Sequence, residues 1–214
     1  MEITWLGHAA VRVKIMIMDP FPEAIGLRVP PQLAQANLVT VSGADPNVSA
    51  VDSVKGDPKP IAINGPGEYE AAGFRLKGIR TPRYAPEGET AWNTIYVVEL
   101  EGMVLANLGD PSRLLTAREI EELASPSVLI IGVGSKTGYS PADAVETVNS
   151  ISPRVVIPVL YAHPGDSTDL RELAPFMSEL GAKIEEPIAR ASVTRSNLPE
   201  ETAVTLLAPA GTLL

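Results

Sequence analysis

The sequence predicts an α/β fold in which β-sheets are covered by helices, and three observations support this prediction. The first half of the chain shows the period-two pattern of strands, and the second half alternates strand and helix patterns in the order β-α-β-α-β. The 214 residues are 45% hydrophobic and 20% charged, a composition typical of a globular chain whose core needs no disulfide or metal. No linker divides the chain, so we expect a single domain over residues 1–214.

The first half of the chain is predicted to consist mainly of strands. A strand over residues 3–6 comes first, and apolar and basic residues then alternate over residues 11–17. Met16 and Met18 stand where the alternation would place polar residues, so the later part of this strand should be buried on both faces. Further strands are expected over 36–41, 60–64, 73–79, 93–100 and 103–108, with a tight turn at Glu101-Gly102 and a loop over 81–90.

The second half is predicted to alternate helices with buried strands. Thr116 and Glu119 form a capping box, in which each side chain satisfies a free backbone N–H at the start of a helix that ends near residue 124. Ser140 and Pro141 mark the start of a second helix that ends near residue 150. The remaining expected elements are strands over 127–133, 154–161, 183–189 and 203–208, and a helix capped by Thr168 or Asp169 that ends near Gly181.

Charge and composition exclude several classes of partner. The net charge of −9 argues against nucleic acid or an anionic membrane as the main partner. The absence of cysteine removes disulfides, thiolate metal sites and a cysteine nucleophile. The apolar run over residues 127–134 is too short to span a bilayer, and residues 1–5 lack the features of a signal peptide. The expected location is therefore the cytoplasm.

A series of short motifs resembles one enzyme family. The motifs are Trp5-Leu6-Gly7-His8-Ala9, Asp19-Pro20-Phe21, Pro66-Gly67-Glu68-Tyr69-Glu70, Asn93-Thr94-Ile95-Tyr96, Leu108-Gly109-Asp110 and Ile157-Pro158. In this order they resemble the metallo-β-lactamase superfamily, in particular the small bacterial zinc-dependent hydrolases that are similar to L-ascorbate-6-phosphate lactonase. The resemblance implies an α/β fold of the metallo-β-lactamase-like four-layer αββα type, with two sheets face to face.

The same resemblance implies that most of the zinc ligands are missing. The family's main ligand block, T-x-S-H-x-H-x-D-H, aligns without a gap on residues 40–48. Its four ligand positions are occupied here by Gly43, Asp45, Asn47 and Val48. The alignment therefore predicts that the scaffold is retained and the metal site is lost.

The remaining ligand positions follow the same trend. The family's H-L-G-D becomes Asn107-Leu108-Gly109-Asp110, and the histidine of its I-P-M-H-Y becomes Leu160, so Asp110 alone is unchanged. A family loop that approaches the active site places Arg83 nearby. We expect the Arg83 guanidinium to replace part of the metal's charge beside Asp110 or Asp45, because a buried carboxylate without a cation is costly; the alternative is a solvated loop arginine.

Counting potential ligands independently of the family leads to the same expectation. Zinc hydrolysis sites require several histidine, cysteine or carboxylate ligands, and this chain has only two histidines, His8 and His163, with no cysteine. We therefore expect no metal and no cofactor, although the family would use zinc. His8 is expected to be a structural residue whose ring satisfies backbone groups, or else to border the vacated pocket. His163 is expected to be an ordinary loop histidine, the alternative being a displaced ligand.

Two classes of function remain open. The first is a catalytically inactive protein that binds or regulates, with an unknown small molecule or an active paralogue as partner and with homo-oligomerisation open. The second is a hydrolase of a small, phosphorylated or lactone metabolite, which would use Asp45 and Asp110 with a different metal or none. The alternative interpretation of Asp45-Pro46 is a simple turn.

Overall fold

Two β-sheets form the framework of the protein in the computed structural model, which describes residues 1–83 and 91–213. Strands of the first sheet are β1 (Glu2–Gly7), β2 (Ala10–Val13), β3 (Met16–Met18), β5 (Leu38–Thr40), β6 (Ile61–Ile63) and β13 (Ala191–Ser192). Within the described ranges their order across the sheet is β13-β1-β2-β3-β5-β6. Strand β3 is buried on both faces, as its apolar pattern predicts.

The second sheet is half antiparallel and half parallel. Its strands are β7 (Gly67–Ala71), β8 (Phe74–Arg83), β9 (Ala91–Leu100), β10 (Met103–Asn107), β11 (Val128–Gly132), β12 (Val155–Val159) and β14 (Ala203–Val204). Among the described residues the order is β14-β12-β11-β10-β9-β8-β7, and the pairs from β10 to β14 are parallel. Every residue of β11 and β12 is buried, as expected of central parallel strands. A separate short pair joins β4 (Leu27–Arg28) to β15 (Thr212–Leu213).

The described α-helices are short and begin at defined caps. They are α1 (Ala117–Glu122), α2 (Pro141–Ile151) and α3 (Ala174–Leu180), and 3₁₀ helices occupy Glu23–Ile25 and Val51–Ser53. Two of the three predicted helix starts are confirmed, with capping boxes at Thr116 and Ser140. Within residues 1–83 and 91–213, none of the helices has the length and apolarity needed to cross a membrane.

The two sheets share one hydrophobic core, and a second core lies outside the first sheet. Alternate residues explain this division, since Met16 and Met18 belong to the inner core and Ile17 to the outer one. The outer core also contains Phe21 and Ile25, so a 3₁₀ helix and its flanking loops cover that face. The α/β fold with two sheets is therefore confirmed, and its outer layer on the first sheet is built from short 3₁₀ turns.

Polar contacts also tie the two sheets together. The backbone N–H of Thr94, in β9, donates to the carbonyl oxygen of Ser42, which follows β5, over 2.7 Å. The Tyr96 hydroxyl oxygen lies 3.1 Å from the carbonyl oxygens of Val41 and Ile63. Because all of these groups are buried, the ties satisfy backbone polarity that would otherwise be costly.

Several predicted strand boundaries differ from the structure. The strand expected over 11–17 is interrupted by a turn at Lys14-Ile15, where Lys14 has a φ of 52°. Strand β8 continues to Arg83, so residues 81–83 are a strand and not the start of a loop. The rest of that predicted loop, residues 84–90, lies outside the described residues.

The prediction for the third helix was wrong at its start. Helix α3 begins at Ala174, because Thr168 is turned toward Asp166 and donates to its carboxylate through both its backbone N–H and its hydroxyl. The strand expected over 183–189 is only an isolated bridge at Ile188. Strand β7 was not expected, since it carries exposed glutamates and no apolar alternation.

The turn between β7 and β8 offers a simple test of the backbone conformation. Ala72 and Gly73 have φ values of 50° and 79°, the combination typical of a two-residue type I′ hairpin. Because asparagine tolerates this region better than alanine, Ala72→Asn should raise the free energy of unfolding by about 0.5–1 kcal/mol. Urea denaturation measures this gain. The control Ala189→Asn, at an exposed residue without positive φ, should give none, and an equal gain there would contradict the interpretation.

Candidate functional site

A cleft of about 260 Å³ opens where the loops that follow several strands meet. These loops include those after the parallel strands β10, β11 and β12, whose carboxyl ends share one edge of the sheet. The lining residues are His8, Ser42, Gly43, Asp45, Asn47, Val48, Arg83, Asn93, Asp110, Ser135, Lys136, Thr137, Leu160, Thr168, Asp169 and Leu170. The cleft therefore gathers most of the positions that the sequence analysis aligned with metal ligands.

An arginine–aspartate ion pair lines the cleft. Arg83 donates from Nη2 to Asp110 Oδ2 over 2.6 Å, and the Ser135 hydroxyl donates to the same oxygen over 2.7 Å. The other oxygen, Oδ1, is buried without a hydrogen-bond partner among the described residues. It lies against Gly138, where a Cβ would come within 1.9 Å of it, so only glycine fits beside this carboxylate.

Burial and charge act in opposite directions on Asp110. Burial raises the pKa of its carboxyl group, while Arg83 and Ser135 lower it, and the net direction is upward. Asp45 is more distant, with Oδ2 at 3.9 Å from Arg83 Nη1. Its Oδ1 accepts a hydrogen bond from the Asn47 backbone N–H, so Asp45 is also the turn residue that its sequence context allows.

Asn107, which stands where the family has a histidine ligand, contacts a second carboxylate that is buried more deeply. Asn107 donates from Nδ2 to Asp19 Oδ2 over 2.8 Å, and the Ser42 backbone N–H donates to Oδ1 over 2.7 Å. Asp19 is fully buried, and burial raises its pKa to about 6 even though these hydrogen bonds favour the charged form. Asn107 therefore holds a buried carboxylate behind the cleft.

The other vacated positions are occupied by small or apolar groups. Val48 and Leu160 are 8% and 5% exposed, and a Cβ on Gly43 would lie 3.9 Å from its nearest neighbours, so that position leaves space. Leu160 has a φ of 55°, a left-handed conformation that is unfavourable for most residues other than glycine and asparagine. Its backbone N–H donates to the His8 carbonyl oxygen, which holds it there.

Both histidines differ from the environments expected first, and His8 lines the cleft, which was the alternative for that residue. The His8 ring bonds Asp166, Nδ1 to Oδ2 over 2.8 Å, rather than backbone groups. His163 is not an ordinary loop histidine, because its side chain is 5% exposed and meets the Trp5 ring edge-on at 4.8 Å between centroids. Burial lowers the pKa of His163. Asp166 was missed from the sequence, since its contact with His8 spans 158 residues.

The side chains around the cleft do not fit the zinc centre that the resemblance implies. Within residues 1–83 and 91–213, no group of three or more histidine, cysteine, aspartate or glutamate side chains could hold a metal ion. The one unchanged ligand, Asp110, already accepts two hydrogen bonds on Oδ2. Both donors point hydrogens at Oδ2, so a metal would have to share that oxygen with them, and the unpartnered Oδ1 lies against Gly138.

Comparison with known proteins identifies the class and then the family. The α/β framework has the fold of a Thermotoga maritima protein described as a zinc-dependent hydrolase of the metallo-β-lactamase superfamily, with a TM-score of 0.73, 27% identity, and coverage of 96% of this chain and 97% of that one. The profile of the beta-lactamase superfamily domain matches residues 2–160. This chain therefore belongs to the beta-lactamase superfamily.

Relatives of similar length support the same assignment. A UPF0173 metal-dependent hydrolase of Methanopyrus kandleri is 28% identical over 226 residues, covering 86% of this chain and 95% of the relative. A UPF0173 metal-dependent hydrolase of Archaeoglobus fulgidus is 29% identical over 196 residues, covering 75% and 83%. Igni18, a metallo hydrolase of Ignicoccus hospitalis, shares the fold with a TM-score of 0.62 at 17% identity, covering 96% of this chain and 94% of its own.

Proposed function

We propose that this chain is a non-hydrolytic member of the superfamily that carries no zinc and binds a small molecule, or an active paralogue, at the vacated cleft. The Arg83–Asp110 ion pair is the observation that carries the proposal. The relatives are named metal-dependent hydrolases, so the proposal separates this chain from them in function but not in fold. It treats residues 1–214 as one domain and keeps the cytoplasmic location expected from the sequence.

A metal ion at this site would compete with Arg83 for one carboxylate, that of Asp110. A metal ion and a guanidinium both neutralise Asp110, and the guanidinium already lies 2.6 Å from Oδ2. Arginine stays charged at any relevant pH, so it cannot release the oxygen by losing a proton. The Arg83 side chain is 19% exposed and that of Asp110 10%, which makes the pair partly desolvated. These properties support a permanent substitute for a cation.

The rival function is a hydrolase that uses Asp45 and Asp110 with another metal or none. The observation in its favour is that both carboxylates line the same cleft. However, Arg83 contacts both of them, at 3.9 Å and 2.6 Å, so a guanidinium occupies the place between the carboxylates that a cation or a water would need. A screen of phosphate esters and lactones, with and without divalent cations, separates the two functions.

The metal content of the purified protein tests the proposal directly. Protein prepared without chelators should contain far less than one zinc per chain, and EDTA should leave the melting temperature unchanged, because a core of this size folds without metal. Elemental analysis and thermal unfolding provide the two measurements. Near-stoichiometric zinc that resists dialysis, and that is lost in Asp110→Asn, would overturn the proposal. Cation-dependent turnover of an ester or lactone would do the same.

A further inference from the structure

His8 is fixed by hydrogen bonds on almost every polar atom. Its backbone N–H donates to His163 Nε2 over 3.3 Å, and its carbonyl oxygen accepts from Trp5 Nε1 over 2.9 Å and from the Leu160 N–H over 2.8 Å. The ring atom Nδ1 lies 2.8 Å from Asp166 Oδ2. Of the polar atoms of His8, Nε2 alone has no hydrogen-bond partner among the described residues. The residue is 4% exposed, yet it lines the cleft.

The carboxylate behind the ring is itself held in place. Asp166 has a side chain that is 0% exposed, and its Oδ1 accepts from both the N–H and the hydroxyl of Thr168. Burial opposes the charged form, but the hydrogen bonds from His8 and Thr168 outweigh it and lower the pKa of Asp166. An ionised Asp166 requires a donor on Nδ1, so the neutral His8 ring carries its proton there and leaves the Nε2 lone pair free.

The backbone at His8 is also held in an unfavourable conformation. Its φ is 49°, in the left-handed region that non-glycine residues rarely adopt. Such strain persists where the surroundings over-determine the conformation, and it is common at ligand-binding positions. At His8 the surroundings are the bonds to His163, Trp5 and Leu160.

We propose that His8 is the ligand-contacting residue of the cleft, that its Nε2 accepts a hydrogen bond from a hydroxyl or amine group of a small molecule, and that Asp166 is the positioning residue. This inference rests on the proposed function, in which the cleft binds rather than hydrolyses. The charges of the cleft decide the class of ligand. Three carboxylates, Asp45, Asp110 and Asp169, line it against the cations Arg83 and Lys136, so a hydrogen-bond donor is favoured over an anion.

Nitrogen NMR of the histidine rings tests the inference, because the chain has only two histidines. In the ¹⁵N-labelled full chain, with His163→Gln to assign the signals, His8 should carry its proton on Nδ1 and a bare Nε2 at neutral pH. Ethanolamine, which offers both a hydroxyl and an amine, should shift Nε2 of His8 and leave His163 unchanged. Sulfate and acetate, which only accept hydrogen bonds, should shift neither ring.

Substitutions of His8 and Asp166 distinguish a positioning role of Asp166 from a role in packing alone. His8→Gln should weaken ethanolamine binding at least tenfold, and Asp166→Asn should change the tautomer of the His8 ring while the fold, checked by circular dichroism, is retained. A proton on Nε2 of His8 would overturn the proposal, as would shifts caused by the anions and not by ethanolamine, or no shift with any probe. Zinc content and turnover, measured on the same sample, report separately on the proposed function.

Discussion

Replacing Arg83 by methionine is expected to lower the free energy of unfolding by about 2–3 kcal/mol, because it leaves the largely buried Asp110 carboxylate without its counter-charge. Methionine keeps most of the side-chain length, so the loss reports charge more than packing. Urea denaturation at neutral pH measures it. The loss should shrink as the pH falls, since protonation of Asp110 removes the unpaired charge and its pKa is already raised.

Two companion variants make this expectation specific. Arg75→Met removes an arginine of the same strand whose side chain is 74% exposed and whose contact with Glu70 is long, at 3.9 Å. This substitution should lower the free energy of unfolding by less than about 0.5 kcal/mol. The double variant Arg83→Met/Asp110→Asn should recover much of the loss, because both members of the pair are then uncharged. If the double variant loses as much as the two single variants together, the two residues do not interact and the charge substitution is wrong.

Lowering the pH from about 7 to about 4 is expected to remove about 2 kcal/mol of a destabilising contribution from Asp19. The folded-state pKa of about 6 lies above the ordinary value of 3.8, so the folded protein binds the proton first. The contribution of Asp19 to stability is therefore least favourable above pH 6 and improves as the pH falls through this window. Asp110, whose pKa is also raised, acts in the same direction.

A variant isolates Asp19 from groups that act in the opposite direction. His163 has a lowered pKa, so the unfolded chain takes up that proton first and acid destabilises the protein through it. The difference in unfolding free energy between the natural chain and Asp19→Asn cancels this effect. That difference should move by about 2 kcal/mol in favour of the natural chain between pH 7 and pH 4. A difference that stays constant between pH 7 and pH 4 would contradict it.

Local signals in the sequence predict the parts of the fold that local interactions determine. The caps at Thr116 and Ser140 act within one helical turn, so the sequence places both helix starts correctly. Thr168 is also a residue type that caps helices, but its hydroxyl donates to the Asp166 carboxylate instead. Helix-capping patterns in the sequence do not predict this contact. Strand β7 has little apolar signal of its own, and pairing along the whole length of β8 determines its conformation.

The candidate site likewise has features that the sequence predicted and contacts that it did not. The alignment without gaps placed Gly43, Asp45 and Val48 in one cleft and put Arg83 beside Asp110, as the geometry now shows. The substituting role of Arg83 stays a proposal. The contact between His8 and Asp166 joins residues that are 158 positions apart, and no spacing or motif marks it. Contacts of this kind depend on the assembled structure, so the sequence alone could not predict them.

The hydrogen bonds between the layers have a mechanical consequence. Sliding one sheet over the other would break the bond from Thr94 to Ser42, the contacts of the Tyr96 hydroxyl and the bond from Asn107 to Asp19 together. Sideways displacement of the sheets therefore meets resistance at several points at once. We expect amide hydrogens in the centres of both sheets to exchange with deuterium in one slow phase, because neither layer opens separately. These buried hydrogen bonds between the sheets thus keep the loops on the two sides of the cleft at a fixed distance from each other.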